Sequence, residues 1–357
     1  MNLFRSEEHV RRWELYSQAS EDYILPVATW AEIFSGPLFT QRLAPDYLER
    51  GEEYVEAYHD ALREAGKASP YWQYPLIAAM DEVRLSRYQV VGAYTRYETR
   101  VLNDLKDARV RIVAGLEERS GRRENHLVWA APGSGKTFFV EQVAAGMGGA
   151  VRYVELNLAR LDEEGFRAGL EGLAGLEPPV LCLIDEADAH AGEPWPYEVL
   201  MPHLDVNLGG GHVAFVLAGS SGFSLEGMKQ RIGGRPKGSD VLSRIPVVNQ
   251  FVIPAMSFGD RVLITLRQFV EAGRRLGHEI GQVEKLGLYY VAVNGRLANA
   301  RQLQEFAARS VERIPRGDDR IKYDHLFVPG DPENKRFWME VGGVARDLVN
   351  SFVTIEG

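Results

Sequence analysis

The chain has 357 residues, 45% hydrophobic and 25% charged, which is long enough for two or three domains around a sizeable buried core. Its formal net charge of −9 argues against a surface built throughout to coat nucleic acid or an acidic membrane, and allows at most a local basic patch. The single cysteine, Cys182, sits in an apolar run with no partner for an internal disulfide, as expected of a protein in a reducing cytoplasm.

The opening MNLFRSEEHVRRWELY lacks the charged-then-apolar layout of a secretory leader, and no apolar run nears the ~20 residues needed to span a bilayer. A cytoplasmic protein without a membrane partner is the expectation. Residues 1–115 read as a helical N-terminal domain, with helical spacing in RSEEHVRRWELY and PDYLERGEEYVEAYHDALREAG. The stretch from Tyr74 to about Arg119 reads as one long helix or two in tandem. Ten of the fifteen tyrosines precede residue 100, together with Trp13, Trp30 and Trp72. Packing within a small domain accounts for them more simply than a partner-binding surface does. Residues 1–120 hold 15 Lys+Arg against 20 Asp+Glu, which weakens the case for an N-terminal DNA-binding module.

Beyond the polar break SGRREN the pattern changes. The apolar runs HLVWAA, VRYVELN, VLCLIDE, HVAFVLAGSS and VNQFVIP alternate with helical stretches, the mark of a parallel sheet flanked by helices. This α/β region is assigned to residues 116–256. From Ser257 the chain reads as helical again to about Glu312, and the tail after Pro315 as turn-rich and then helical, so that 257–357 form a third, helical region.

AAPGSGKTFFVE comes directly after the first apolar run. It fits the phosphate-loop pattern at Gly135, Lys136 and Thr137, with Ala130 in place of the first glycine. Gly133, Ser134 and Gly135 still allow backbone amides to turn inward around a phosphate at a helix N-terminus. The binding stretch is expected to run from Pro132 through Gly133, Ser134, Gly135, Lys136 and Thr137 to Phe138. In it Lys136 would reach the β- and γ-phosphates of ATP, and the Thr137 hydroxyl would ligate Mg2+. LCLI followed by Asp185 and Glu186, 49 residues after Lys136, supplies the acidic partner motif. Asp185 would hold the metal shell and Glu186 would polarise the attacking water.

LIDEADAH and QRIGGR imitate two motifs of a helicase family, but only about 45 residues separate them, too few for the second nucleotide-sandwiching domain such a helicase needs. Asp188 and His190 are assigned to the start of the next helix. Roughly residues 115–313 instead resemble the AAA+ ATPases, through elements that stand in the order this family uses. By that resemblance the fold is a parallel-sheet α/β nucleotide-binding domain with a helical lid, preceded here by an all-helical N-terminal domain. Asn157, ending VELN, matches the polar residue that restrains the catalytic glutamate. Ser220, or alternatively Ser221, matches the first sensor. SDVLSRIPVVNQFVIP resembles the segment carrying the arginine finger, making Arg244 the residue offered in trans to a neighbour's γ-phosphate. GRLANARQLQEF resembles the second sensor, making Arg301, ahead of Arg296, the lid residue for that phosphate. The resemblance implies an ATPase in a homo-oligomer, by family habit a ring of about six subunits.

Within the family, the loop NLARLDEEG lacks the aromatic residue of polypeptide-threading unfoldases, and the Gly-Ala-Phe-Thr-Gly-Ala insertion of alternative-sigma-factor activators is missing. QRIGGRPKGSD offers Lys229, Arg231, Arg235 and Lys237 in what reads as a glycine-rich basic loop, as a clamp-loader or initiator would use on DNA, or simply as a solvated connection. The reading adopted is a remodeller of a client protein. A nucleotide-controlled assembly switch or DNA-associated factor is the alternative, with DNA possible but not favoured.

Overall fold

In the computed structural model, residues 27–64, 76–117, 125–177, 179–205, 213–294, 296–297, 299–315, 317–326 and 346–356 are described. The helix expected in RSEEHVRRWELY and the segment FVPGDPENKR lie outside them. The chain divides into two compact units, Met1–Ala79 and Met80–Gly357. Among the described residues no helix is long and apolar enough to cross a membrane.

In the first unit the described residues form helices α1 (Val27–Phe34), α2 (Pro37–Thr40) and α3 (Gly51–Glu64). Pro37 opens α2, where a missing N–H costs nothing. The three helices share an aromatic chain: Trp30 stacks on Phe34 at 5.4 Å, Phe34 meets Phe39 edge-on at 4.8 Å, and Phe39 meets Tyr58 at 5.2 Å. Among the described residues these four aromatic rings serve packing.

The second unit opens with strands β1 (Glu82–Arg84), β2 (Gln89–Val91) and β3 (Tyr94–Thr95), followed by helix α4 (Thr99–Glu117). This corrects the expectation of one long helix, or two in tandem, from Tyr74 to about Arg119. Gly92, at φ +52, turns β2 into β3, and Ala93 N there donates to Gln142 Oε1 at 2.7 Å. The boundary between compact units also falls earlier than residue 115, because α4 buries Leu102, Leu105, Ala108, Ile112 and Leu116 in the same core as the central sheet.

That sheet comprises β4 (His126–Ala130), β5 (Arg152–Asn157), β6 (Val180–Asp185), β7 (Val213–Gly219) and β8 (Gln250–Ile253), all parallel, in the order β5-β6-β7-β4-β8. Every residue of VLCLID and VAFVLAG is buried, as strands covered on both faces require. One face is covered by α4 and α5 (Lys136–Ala145), the other by α6 (Glu163–Gly172), α7 (Trp195–Leu204), α8 (Leu225–Gly233) and α9 (Gly238–Ser243). Cys182 lies fully buried in β6, and burial pushes its thiol pKa up, so it is inert packing. QRIGGRPKGSD is helix up to Gly233 and again from Gly238, not the open loop expected of its glycines.

The lid helices are α10 (Phe258–Leu276), α11 (Lys285–Val293) and α12 (Ala300–Val311). Capping boxes start two of them, Ser257 with Asp260 on α10 and Asn299 with Gln302 on α12. Beside them lies a second sheet in the order β1-β11-β9-β10, built from β1, β9 (Gln282–Glu284), β10 (Arg320–Ile321) and β11 (Phe352–Glu356). Where described, the tail therefore ends in a strand rather than the expected helix, because FVTIE is rich in β-branched residues and pairs with β1 from Glu82↔Thr354 to Arg84↔Glu356.

Candidate nucleotide-binding site

Strand β4 ends at Ala130 and α5 begins at Lys136, so residues 131–135 turn the chain over the C-terminal edge of the sheet. Two glycines make the turn in the left-handed region, Gly133 at φ +74 and Gly135 at φ +83. Both are also crowded: a Cβ on Gly133 would lie 3.1 Å from Asn299 Cβ, and one on Gly135 would lie 3.3 Å from Tyr94 Cε2. Tyr94 donates its hydroxyl proton to Ser134 O at 3.1 Å. Ser134 is buried, and its Oγ has no hydrogen-bond partner among the described residues. Pro132 and Phe138 are exposed on either side of the loop, with the Phe138 ring 6.2 Å from that of Tyr94. Tyr94 has no local motif that marks it in the sequence, because its approach to the loop depends on the β2–β3 hairpin in a stretch expected to be helical.

The Lys136 ammonium lies 2.8 Å from Asp185 Oδ1 and 2.6 Å from Glu186 Oε1. Burial opposes its charge, and hydrogen bonds and attraction from the two carboxylates outweigh that, leaving its pKa above the ordinary lysine value. Asp185 is buried at the end of β6, while Glu186 begins the following turn at φ +52, a left-handed conformation unusual for glutamate. Thr137, half-buried, follows Lys136 in the first turn of α5.

Asn157 ends β5 directly beside Asp185 in the strand register, and its Nδ2 donates to Asp185 Oδ2 at 3.4 Å. It therefore meets the aspartate of the acidic pair rather than Glu186, the glutamate it was expected to restrain. Ser220 and Ser221 follow β7, and both backbone amides donate to Asp188 Oδ2, at 3.2 and 2.7 Å. Asp188 and His190 thus do not open a helix. They lie in the connection before α7, where His190 Nε2 bonds with Leu158 O at 2.8 Å.

Arg244 stands apart from this cluster. It caps α9, where its guanidinium holds Asp205 through Nε–Oδ1 at 2.5 Å and Nη2–Oδ2 at 3.2 Å and donates to Asp240 O at 2.7 Å. The hydrogen bond with Asp205 raises its pKa. Its carbonyl accepts from Asn125, the residue before β4, so it sits at the opposite end of that strand from the phosphate loop. Arg301 is exposed in the first turn of α12, the helix whose N-cap Asn299 touches Gly133. Of the basic residues around Gly233, Arg235 is a brace: it donates to Ala189 O and His190 O at 2.8 and 2.7 Å and lies over the Tyr197 ring at 4.3 Å. Lys229 pairs with Glu226 and Lys237 with Asp240, at 2.9 and 3.5 Å.

A half-buried lysine flanked by two carboxylates beneath a glycine turn and a helix N-terminus can bind a polyphosphate and polarise a water beside it. Among solved structures the chain is similar to a point mutant of RuvB from Thermotoga maritima, with 16% identity over 68% of this chain and 70% of that one and a TM-score of 0.44. It is also similar to NtrX of Brucella abortus in complex with ADP (16%, 78% and 62%, TM-score 0.44) and to the Orc1 protein of Aeropyrum pernix in complex with DNA (18%, 69% and 67%, TM-score 0.41). No curated protein matches the chain. Residues 126–223 match the family described as ATPase family associated with various cellular activities (AAA). By that match, which spans the phosphate loop, both acidic residues and the serine pair, the chain carries an AAA+ ATPase domain of no specified subfamily.

Proposed function

We propose that the protein binds ATP with magnesium at the Gly133–Thr137 loop, hydrolyses it, and uses the cycle in an oligomer to remodel a partner protein. The observation that carries the reading is the Lys136 ammonium, held within 2.8 Å of both Asp185 and Glu186 at the foot of the loop.

The loop amides and Lys136 would hold the phosphates, which suits the cradle: side chains at Gly133 and Gly135 would intrude on Asn299 and Tyr94. The Thr137 hydroxyl and the Asp185 carboxylate are hard oxygen donors of the kind magnesium prefers. Bound there, magnesium would neutralise phosphate charge. Glu186 would orient and polarise the attacking water, Ser220 or Ser221 would fix that water from the neighbouring strand, and Asn157 would steady Asp185. Arg301 would approach the γ-phosphate from the lid.

Arg244 supports the oligomer. It is fixed at the far end of β4 from the phosphate loop, away from its own subunit's site, which supports a role at a neighbour's. A separately compact N-terminal unit supports a partner-binding role for Met1–Ala79. The test is ATP turnover of the full chain against protein concentration, with and without DNA. A rate per subunit that rises steeply with concentration supports shared sites. A rate independent of concentration counts against them, and strong stimulation by DNA would replace the client protein with nucleic acid.

A further inference from the structure

Asp188 stands two residues beyond Glu186, and its Oδ2 accepts two consecutive backbone amides of the facing strand end, Ser221 N at 2.7 Å and Ser220 N at 3.2 Å. The same turn is fastened to that strand again by Ala187 N, which donates to Ala218 O at 2.8 Å. From the other side Trp129, one residue before the end of β4, donates its indole N–H to Ser221 O at 3.1 Å. Gly219 lets the carboxylate in, since a Cβ there would lie 2.7 Å from the Asp188 carboxyl carbon. The segments on both sides hold uncommon backbone conformations, with Glu186 at φ +52 and Phe223 at φ +59. Such conformations persist only where surrounding contacts over-determine them.

We infer that Asp188 is a positioning residue of the proposed ATPase site: it locks the Ser220–Ser221 loop to the carboxylate turn, so that Glu186 and the serine beside the attacking water keep one spacing. The inference rests on the reading of Glu186 as the water-polarising group. One oxygen accepts both amides, so the site requires an acceptor at that point rather than a negative charge. An asparagine carbonyl oxygen, with two lone pairs, can take the same two bonds.

The test compares Asp188→Ala, Asp188→Asn and Glu186→Gln in the full chain, reading ATP turnover, affinity for a non-hydrolysable ATP analogue, and amide hydrogen exchange at Ser220 and Ser221. Asp188→Ala is expected to lower kcat by about 10- to 100-fold, the cost of a misplacement of the order of 1 Å, with analogue affinity changed less than about twofold. Exchange at the two serines should quicken, and Asp188→Asn should restore most of both kcat and protection. If Asp188→Ala does not fold, Gly219→Ala takes its place. Its methyl group would press on the Asp188 carboxyl carbon, and also on Met228 Sδ, each 2.7 Å away, and the same selective loss of kcat is expected. Wild-type kcat in the variant that folds overturns the inference when Glu186→Gln is inactive. So does an Asp188→Asn as deficient as Asp188→Ala, because charge would then be at work. Normal turnover in Glu186→Gln overturns the site reading and the inference with it.

Discussion

Asn299, the N-cap of lid helix α12, abuts Gly133 of the phosphate loop so closely that a Cβ on the glycine would come within 3.1 Å of the asparagine Cβ. The lid therefore starts at the loop that would hold the phosphates. Arg301, two residues further on, is carried by the same helix turn. Gly133→Ala meets two obstacles, φ +74 and the Asn299 side chain. A left-handed alanine costs on the order of 1–2 kcal/mol, so nucleotide affinity should fall by about tenfold or more. Titration with a fluorescent ATP analogue measures this, and unchanged affinity would detach Gly133 from the site.

A buried ion pair holds the start of α10. Arg96, fully buried after β3, meets Asp260 Oδ2 at 3.0 Å, and the second oxygen of Asp260 accepts Tyr97 N at 2.6 Å. Asp260 also closes the capping box that starts α10. Asp260→Ala would leave an uncompensated buried guanidinium and an uncapped helix, a loss of about 3–5 kcal/mol. Denaturant unfolding should register it as a lower midpoint, and an unchanged midpoint would contradict the role given to the pair.

His126 begins β4 fully buried. Burial, with Arg111 adding to it, pushes its pKa down to about 4, and neither ring nitrogen has a hydrogen-bond partner among the described residues. In the unfolded chain its pKa is about 6.5. Above pH 6.5 the imidazole is neutral in both states and contributes nothing. As pH falls from 6.5 to 4 the unfolded state takes up the proton first, so stability is lost across that window, by up to about 3 kcal/mol. His126→Leu should flatten this part of the pH profile of the denaturation midpoint, and an unchanged slope would contradict it.

Arg244 bears on the oligomer. Arg244→Ala should keep ATP binding and lose turnover by about a thousandfold, the scale of an arginine finger. The Asp205 pair it also breaks is partly exposed and contributes at most about 1 kcal/mol to stability. Mixing Arg244→Ala with Glu186→Gln subunits should restore some activity, since a mixed interface can join an intact Glu186 to an intact Arg244. Absence of that recovery would speak against sites shared between subunits.

The parts of this fold that could be read from sequence were those encoded locally. The phosphate loop, the acidic pair and the five apolar strands each lie within a few consecutive residues, and their chemistry comes from residue type and order. The parts that escaped depend on distant pairing. β1 has no strand signature of its own and exists because Glu82–Arg84 lie against Thr354–Glu356. Asp188 looked like a helix starter until Ser220 and Ser221 came within reach of its carboxylate. Arg235 looked like part of a basic loop, whereas its guanidinium is used up on the carbonyls of Ala189 and His190. Tyr94 entered the site only with the hairpin that turns at Gly92.

The most direct measurement is phosphate release from ATP by the wild-type chain, Lys136→Ala and Glu186→Gln, paired with ATP binding to each. The wild type should bind and hydrolyse ATP when magnesium is supplied, Lys136→Ala should do neither, and Glu186→Gln should bind without turnover. Turnover in Glu186→Gln equal to that of the wild type, or undiminished ATP binding by Lys136→Ala, would contradict the assignment of this cluster as the catalytic site.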